Sequence, residues 1–165
     1  TTFRGFAEEV ADLVLDRLGQ ARRFDTKLAP IGGGRDYPAD PEAWAESAAR
    51  GIGTSPARAA RLLARYGTTA QAILTVEGAA PEMLADADYS IPELDWLVRH
   101  ESVQHLADLV MRRTPLAVTG HLSRRDLDRI GALCAATLSW DADRRTREIQ
   151  DTETLLVTRH RLRLS

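Results

Sequence analysis

The sequence predicts an all-α domain, a compact bundle of six or seven helices, and three observations carry that expectation. Ala, Leu and Arg, all strong helix formers, dominate the 165 residues, whereas aromatic residues make up only 5%. Apolar residues recur at spacings of three and four along most of the chain. Helix-start signals at Ser55-Pro56, Ser90-x-x-Glu93 and Ser123-x-x-Asp126 punctuate it, with Gly67 and Pro115 as stops.

Taken in order, the first element spans Thr1 to about Arg22, with Phe3, Phe6, Val10, Leu13, Val14 and Leu18 at helical spacing and Thr1 or Thr2 as its cap. A chain that opens directly on a helix cap suggests a piece of a longer protein. Residues 23–41 contain Pro30, Gly32, Gly33, Gly34, Pro38 and Pro41 and read as a long connecting loop. Residues 42–165 form the main helical domain. It opens with a helix over Glu42 to Arg50 anchored by Trp44. A second helix is delimited by Ser55, Pro56 and Gly67 and carries Leu62, Leu63 and Tyr66. A short helix follows over Thr69 to Val76. The capping box Ser90-Ile91-Pro92-Glu93 opens the longest helix, Ile91 to Arg112, which bears Trp96, Val103, Leu106 and Val110 and stops at Thr114-Pro115. A second capping box, Ser123 with Asp126, is flanked by the hydrophobic staple Leu122/Leu127 and starts a helix through Leu138. A polar helix then reaches about Thr152, and Leu155 to Ser165 fits either more helix or an extended tail.

Composition sets the functional limits. With 44% apolar and 28% charged residues the chain is globular rather than disordered or fibrous. Twenty-two Lys plus Arg against twenty-four Asp plus Glu leave a net charge of -2, unlike a strongly basic nucleic-acid binder. The single cysteine, Cys134, cannot form an internal disulfide. No apolar run approaches the ~20 residues of a membrane helix, and the N-terminus lacks a signal-peptide pattern. A soluble, cytoplasmic domain is the expectation.

The candidate constellations are sparse. His100, Glu101 and His105 invite comparison with a zinc-protease pattern, but the histidines are five apart. That places them roughly 140° apart around a helix, so they diverge. His121 and His160 offer no ligand spacing either. Cys134 lies between Leu133 and Ala135 and reads as a packed structural thiol. Gly32-Gly33-Gly34-Arg35 lacks the preceding strand and the Lys-Ser/Thr of a phosphate loop, and reads as a flexible loop. Glu101, His105, Asp108 and Arg112, with Arg113 beside them, form a polar stripe on the long helix. The stripe is either a solvated face or a docking face, with Asp108 and Arg112 spaced for an i,i+4 ion pair. Gly51-Ile52-Gly53 before an Arg-rich helix is similar to a helix–hairpin–helix DNA-binding turn, for which Arg58, Arg61 and Arg65 would contact phosphates.

Several local patterns, in order, resemble one family. Thr1-Thr2-Phe3-Arg4 with Ala7-Glu8 resembles the Thr-Thr-Tyr-Arg-x-x-Ala-Glu segment that follows the flavin-binding domain of FAD-dependent glycerol-3-phosphate dehydrogenases and alpha-glycerophosphate oxidases. Gly32-Gly33 occupies the place of that family's Pro-Gly-Gly connection, and Arg65-Tyr66-Gly67 is similar to its Arg-Tyr-Gly. Its most distinctive stretch is resembled by Tyr89, Glu93-Leu94, Val98-Arg99-His100-Glu101, Asp108-Leu109 and Arg112-Arg113-Thr114. Ser139-Trp140-Asp141 is similar to its Gly-Trp-Asp, with serine in place of glycine as Phe3 replaces tyrosine. The segment around Gly51-Ile52-Gly53 and the tail after Leu155 have no counterpart.

The resemblance implies a helical C-terminal cap domain of an enzyme that passes a hydride from C2 of sn-glycerol 3-phosphate to FAD. The nucleotide site and the substrate-binding residues would lie upstream, so this chain by itself is expected to hold no cofactor and to be inactive. Implied partners are the upstream FAD domain, a second copy of the chain and, for the whole enzyme, the membrane surface. Nucleic acid is not among them. Thr1 and Thr2 would present a helix N-terminus to the flavin, while Phe3, Phe6 and Val10 would be buried against the rest of the domain.

Overall fold

A computed structural model describes residues 2–164. Its helices are α1 (Thr2–Arg17), α2 (Pro41–Ile52), α3 (Pro56–Tyr66), α4 (Ala70–Glu77), α5 (Ile91–His100), α6 (Leu106–Asp108, running into a π-helical segment Leu109–Arg113), α7 (Arg124–Leu138) and α8 (Ala142–His160). Two short 3-10 turns, Gly32–Gly34 and Gly67–Thr69, complete them. Among the described residues there is no strand, only an isolated antiparallel bridge between Met83 and Ser90. The fold is all-α, as the sequence predicts.

Two apolar clusters form the core. Ala45 and Ala49 of α2 lie against Ala59, Leu62 and Leu63 of α3 and Ala70, Ile73 and Leu74 of α4. The four alanines let the helices approach closely. Each fully buried Leu or Ile contributes about 1.5–3 kcal/mol of transfer free energy. The larger cluster gathers Leu94, Leu97 and Val98 of α5, Leu106, Leu109 and Val110, Leu127, Ile130 and Cys134 of α7, and Ile149 and Leu156 of α8. Tyr66 and Trp96 pack against both clusters and join them. At Gly131 the α7 backbone meets α8 so closely that a Cβ there would lie 2.8 Å from Ile149.

The capping signals work as the sequence predicts at α3 and α5. Ser55 accepts from the Arg58 N–H, and Ser90 and Glu93 form a complete capping box. At α7 Ser123 accepts from the Asp126 N–H, but Asp126 does not reciprocate. Its carboxylate instead accepts the Ala85 and Asp86 N–H groups across the fold at 3.2 Å each. Leu122 and Leu127, the staple pair, are both buried in the larger cluster.

Four expectations need correction. The first helix ends at Arg17 rather than Arg22, because Gly19 takes a left-handed φ of 66° and Gln20 N–H closes back onto Leu15 C=O. Trp44 is only half-buried, and Ala45 and Ala49 anchor α2 instead. The long helix from Ile91 to Arg112 is two helices. Ser102 turns left-handed at φ 53°, Val103 drops into the core, and the chain restarts at Leu106. The polar helix runs on to His160 because Leu156 is fully buried. Arg161 then turns left-handed and folds Leu162 and Leu164 back onto the core.

Candidate interdomain surface

The N-terminal helix is built from two unlike faces. On one, Arg4 donates to the C=O of Thr26 at 2.6 Å and of Lys27 at 3.2 Å, while Glu8 accepts the backbone N–H and hydroxyl of Thr26. Arg22 pairs with Glu8 at 2.6 Å and with Asp12 at 3.0 Å. The Thr26 hydrogen bonds, then Arg22, hold the Glu8 carboxyl down at about 2. The segment after α1 is thereby clipped along its polar face. The other face carries Phe3, Phe6 and Leu13, which are 64%, 67% and 67% exposed, with Val10 and Val14 between them. The expected burial of Phe3, Phe6 and Val10 within this domain is therefore not what the structure has. Arg4, Glu8 and Asp12 of α1 face its own loop together with Leu15, while Phe3, Phe6, Val10, Leu13 and Val14 are left exposed. Thr1 lies outside the described residues, and α1 opens at Thr2.

The connecting loop is pinned to the body at one place. The 3-10 turn Gly32–Gly34 lies on Tyr66-Gly67, where Thr68 Oγ1 donates to the carbonyls of Gly33 at 3.1 Å and Arg35 at 2.8 Å. The glycine segment read as a flexible loop is thus an anchored turn, held by backbone contact that no side chain would permit.

Behind this anchor lies a buried network of charges. Arg58 donates to Glu77 and, at 2.6 Å, to Glu93. Arg65 donates to Glu93 at 2.9 Å, and the Tyr66 hydroxyl reaches the same carboxylate at 2.6 Å. The Ser90 hydroxyl donates to Glu77. Glu93 is fully buried, and Arg58 and Glu77 nearly so. Burial, with the neighbouring Glu93 carboxylate, pushes the Tyr66 phenol far above its ordinary range. Arg61 pairs with Asp88, and the Arg65 guanidinium lies 3.9 Å over the Tyr89 ring. Arg58 and Arg65 are therefore committed inward and the exposed Arg61 is paired with Asp88, so the three arginines read as phosphate contacts are each engaged by acids of the fold. Gly53 is the left-handed C-cap of α2 and spends its N–H on Ala49 C=O, so no anion-binding turn forms at Gly51-Ile52-Gly53. Arg65-Tyr66-Gly67 is legible after the fact: its first two residues hold Glu93, and its third admits the linker.

The polar stripe of the supposed long helix is also dispersed. Asp108 does pair with Arg112, but its other oxygen accepts the Gln104 and His105 N–H groups at 3.1 and 2.9 Å and so caps α6. His105 Nδ1 lies 2.8 Å from Glu148 of α8, whose second oxygen accepts the Leu106 N–H at 3.0 Å. His100 stacks on Trp96, with ring centroids 4.2 Å apart. Glu101 is half-buried at the break, and Arg113 stays exposed. The helix break takes these residues out of a single stripe. Glu148 is the residue that sequence reading missed, since its partner lies 43 positions away. Among the described residues no three His, Cys, Asp or Glu side chains gather where a metal could bind. Burial pushes the Cys134 thiol up to about 12, with Glu148 and Asp95 adding to the effect, so it is an inert core group. No helix of the described residues is long and apolar enough to cross a membrane.

These features define a small all-α domain with a buried charge network around Glu93, whose first helix turns an apolar side outward. The chain belongs to the family of C-terminal domains of alpha-glycerophosphate oxidase, whose family model matches residues 24–145. The parent enzymes of this type are oxidoreductases. No curated protein matches the chain.

Proposed function

We propose that this chain is the helical C-terminal domain of an FAD-dependent glycerol-3-phosphate dehydrogenase of the aerobic type. In this reading an upstream domain binds the flavin and converts sn-glycerol 3-phosphate to dihydroxyacetone phosphate, and the present domain has a structural and docking role. The carrying observation is the outward apolar face of α1, with Phe3, Phe6 and Leu13 some two-thirds exposed, on a chain of this family. An upstream domain seated on that face would remove it from water. Of the docking face proposed from sequence, His105, Asp108 and Arg112 are engaged within the domain, which favours α1 and its loop as the main docking surface, while Glu101 and Arg113 keep the proposed role.

Among the described residues no strand leads into a glycine-rich turn and helix of the kind that holds a flavin dinucleotide, and at Gly32–Gly34 the backbone of Gly33 is pressed against Tyr66-Gly67. In this reading the cofactor is assigned to the upstream domain, with α1, which opens at Thr2, as the part of this chain nearest to it.

Expression of the 165-residue chain alone should give a colourless preparation without glycerol 3-phosphate oxidation. The full-length protein should carry flavin and oxidise the substrate. A yellow, active preparation of the short chain would overturn the reading. In the full-length enzyme Thr2→Pro should shift the flavin reduction potential. An unchanged potential with the fold intact would leave the threonines a capping role.

A further inference from the structure

The pinned linker creates a cleft as well as a joint. Beside the contact of Gly33 with Gly67 lies an open cavity of about 400 Å³, shared between the linker and the body. Tyr37 of the linker lines it together with Tyr66 of α3, Trp96 of α5 and Glu101 at the α5–α6 break. Its size falls in the range of small-molecule sites.

The charges of the lining differ in how far they are already committed. Arg65 lines the cleft too, but its guanidinium donates to Glu93 and to the Asp88 carbonyl and lies over Tyr89. Glu101 uses its backbone N–H on Leu97 C=O. The residue is half-buried, and its carboxylate has no hydrogen-bond or ion-pair partner among the described residues. The cleft therefore offers one uncommitted negative charge beside the half-exposed ring of Tyr37, with Trp96 already stacked on His100 and Tyr66 holding Glu93 through its hydroxyl. The electron-rich faces of such rings attract cations, which a neighbouring carboxylate reinforces. An anion would meet Glu101 and find no free positive group. An apolar molecule would strip water from Glu101 with nothing in return.

We infer that this cleft binds a small organic cation of the guanidinium or alkylammonium class, with Glu101 as counter-ion and Tyr37 as its aromatic wall on the linker side, opposite a body side that Tyr66 and Trp96 help to line. Because Tyr37 belongs to the linker and the other three to the body, such a ligand closes the two together.

The test is an NMR titration of the chain, at low salt, with arginine methyl ester and with tetramethylammonium in separate experiments, and with glycerol 3-phosphate as the anionic control. Saturable shifts are expected at the Gly33 and Gly67 amides and the Trp96 indole N–H with at least one of the cations. Binding should weaken about tenfold in Glu101→Gln. It should also weaken severalfold in Tyr37→Leu, where a half-exposed ring is removed without opening the core. Thermal melts establish that both variants are folded. The inference is overturned if neither cation saturates these signals, if either folded variant binds as well as the parent, or if the anion produces the same shifts.

Discussion

Gly33 and Gly67 cross backbone to backbone. A Cβ added to Gly67 would lie 2.2 Å from the Gly33 carbonyl oxygen, and Gly67 itself sits at φ 58° and ψ -143°, where side chains are strained. The contact joins a connecting loop to the end of α3, and it is the anchor of everything N-terminal to it.

Replacing Gly33 should therefore free the loop before it disturbs the body. In Gly33→Ala the methyl group has only the Tyr66-Gly67 backbone to meet, so the linker lifts away. Limited trypsin digestion should cut faster after Arg23, Lys27 and Arg35, with the body melting close to the parent. Unchanged cleavage at these sites would show that the contact is not what holds the loop.

Glu93 is the acid that three side-chain donors and the Ser90 N–H share. Glu93→Ala leaves the Arg65 guanidinium facing a cavity without that acid, and the almost wholly buried Arg58 with Glu77 but one counter-charge fewer. Breaking a buried pair in this way costs about 3–5 kcal/mol. Urea unfolding should show a loss of that order, whereas Glu101→Gln at the surface should cost little.

Ser139 is a position where the fold asks for glycine. It takes φ 57° and ψ 42° as the left-handed C-cap of α7, in the place where the resembling motif has glycine. A side chain in this conformation costs about 1–2 kcal/mol. Ser139→Gly should raise stability by up to about 1 kcal/mol, read as a higher denaturation midpoint.

Glu8 ties α1 to its loop in a pH-dependent way. Its carboxyl titrates at about 2 in the folded chain against an ordinary 4.5. The group is depressed on folding, so its contribution is complete above the ordinary value and is lost as pH falls through about 2. The Thr26 amide signal should therefore hold its folded position down to about pH 3 and move only below it. In Glu8→Gln the contact should lose its pH dependence.

The sequence by itself determined the helices with local signals. Ser55, Pro56 and Gly67 delimit α3, and Ser90 with Glu93 starts α5, because caps and turns are settled by neighbours within a few residues. The family was legible for the same reason, since its motifs are short and ordered. The tertiary structure alone decided the break after His100. There Asp108 and the distant Glu148 together cap a new helix, and helical spacing cannot report an acid supplied from α8. It decided the fate of Arg58, Arg61 and Arg65, which local sequence shows only as a basic face and which acids from α4, α5 and the loop between them neutralise. It also decided the two faces of α1. An apolar stripe states that a helix has something to bury, but whether the partner lies inside the same domain depends on where the chain folds back. Here Thr26 and Arg22 return to the polar side and leave Phe3, Phe6 and Leu13 outward.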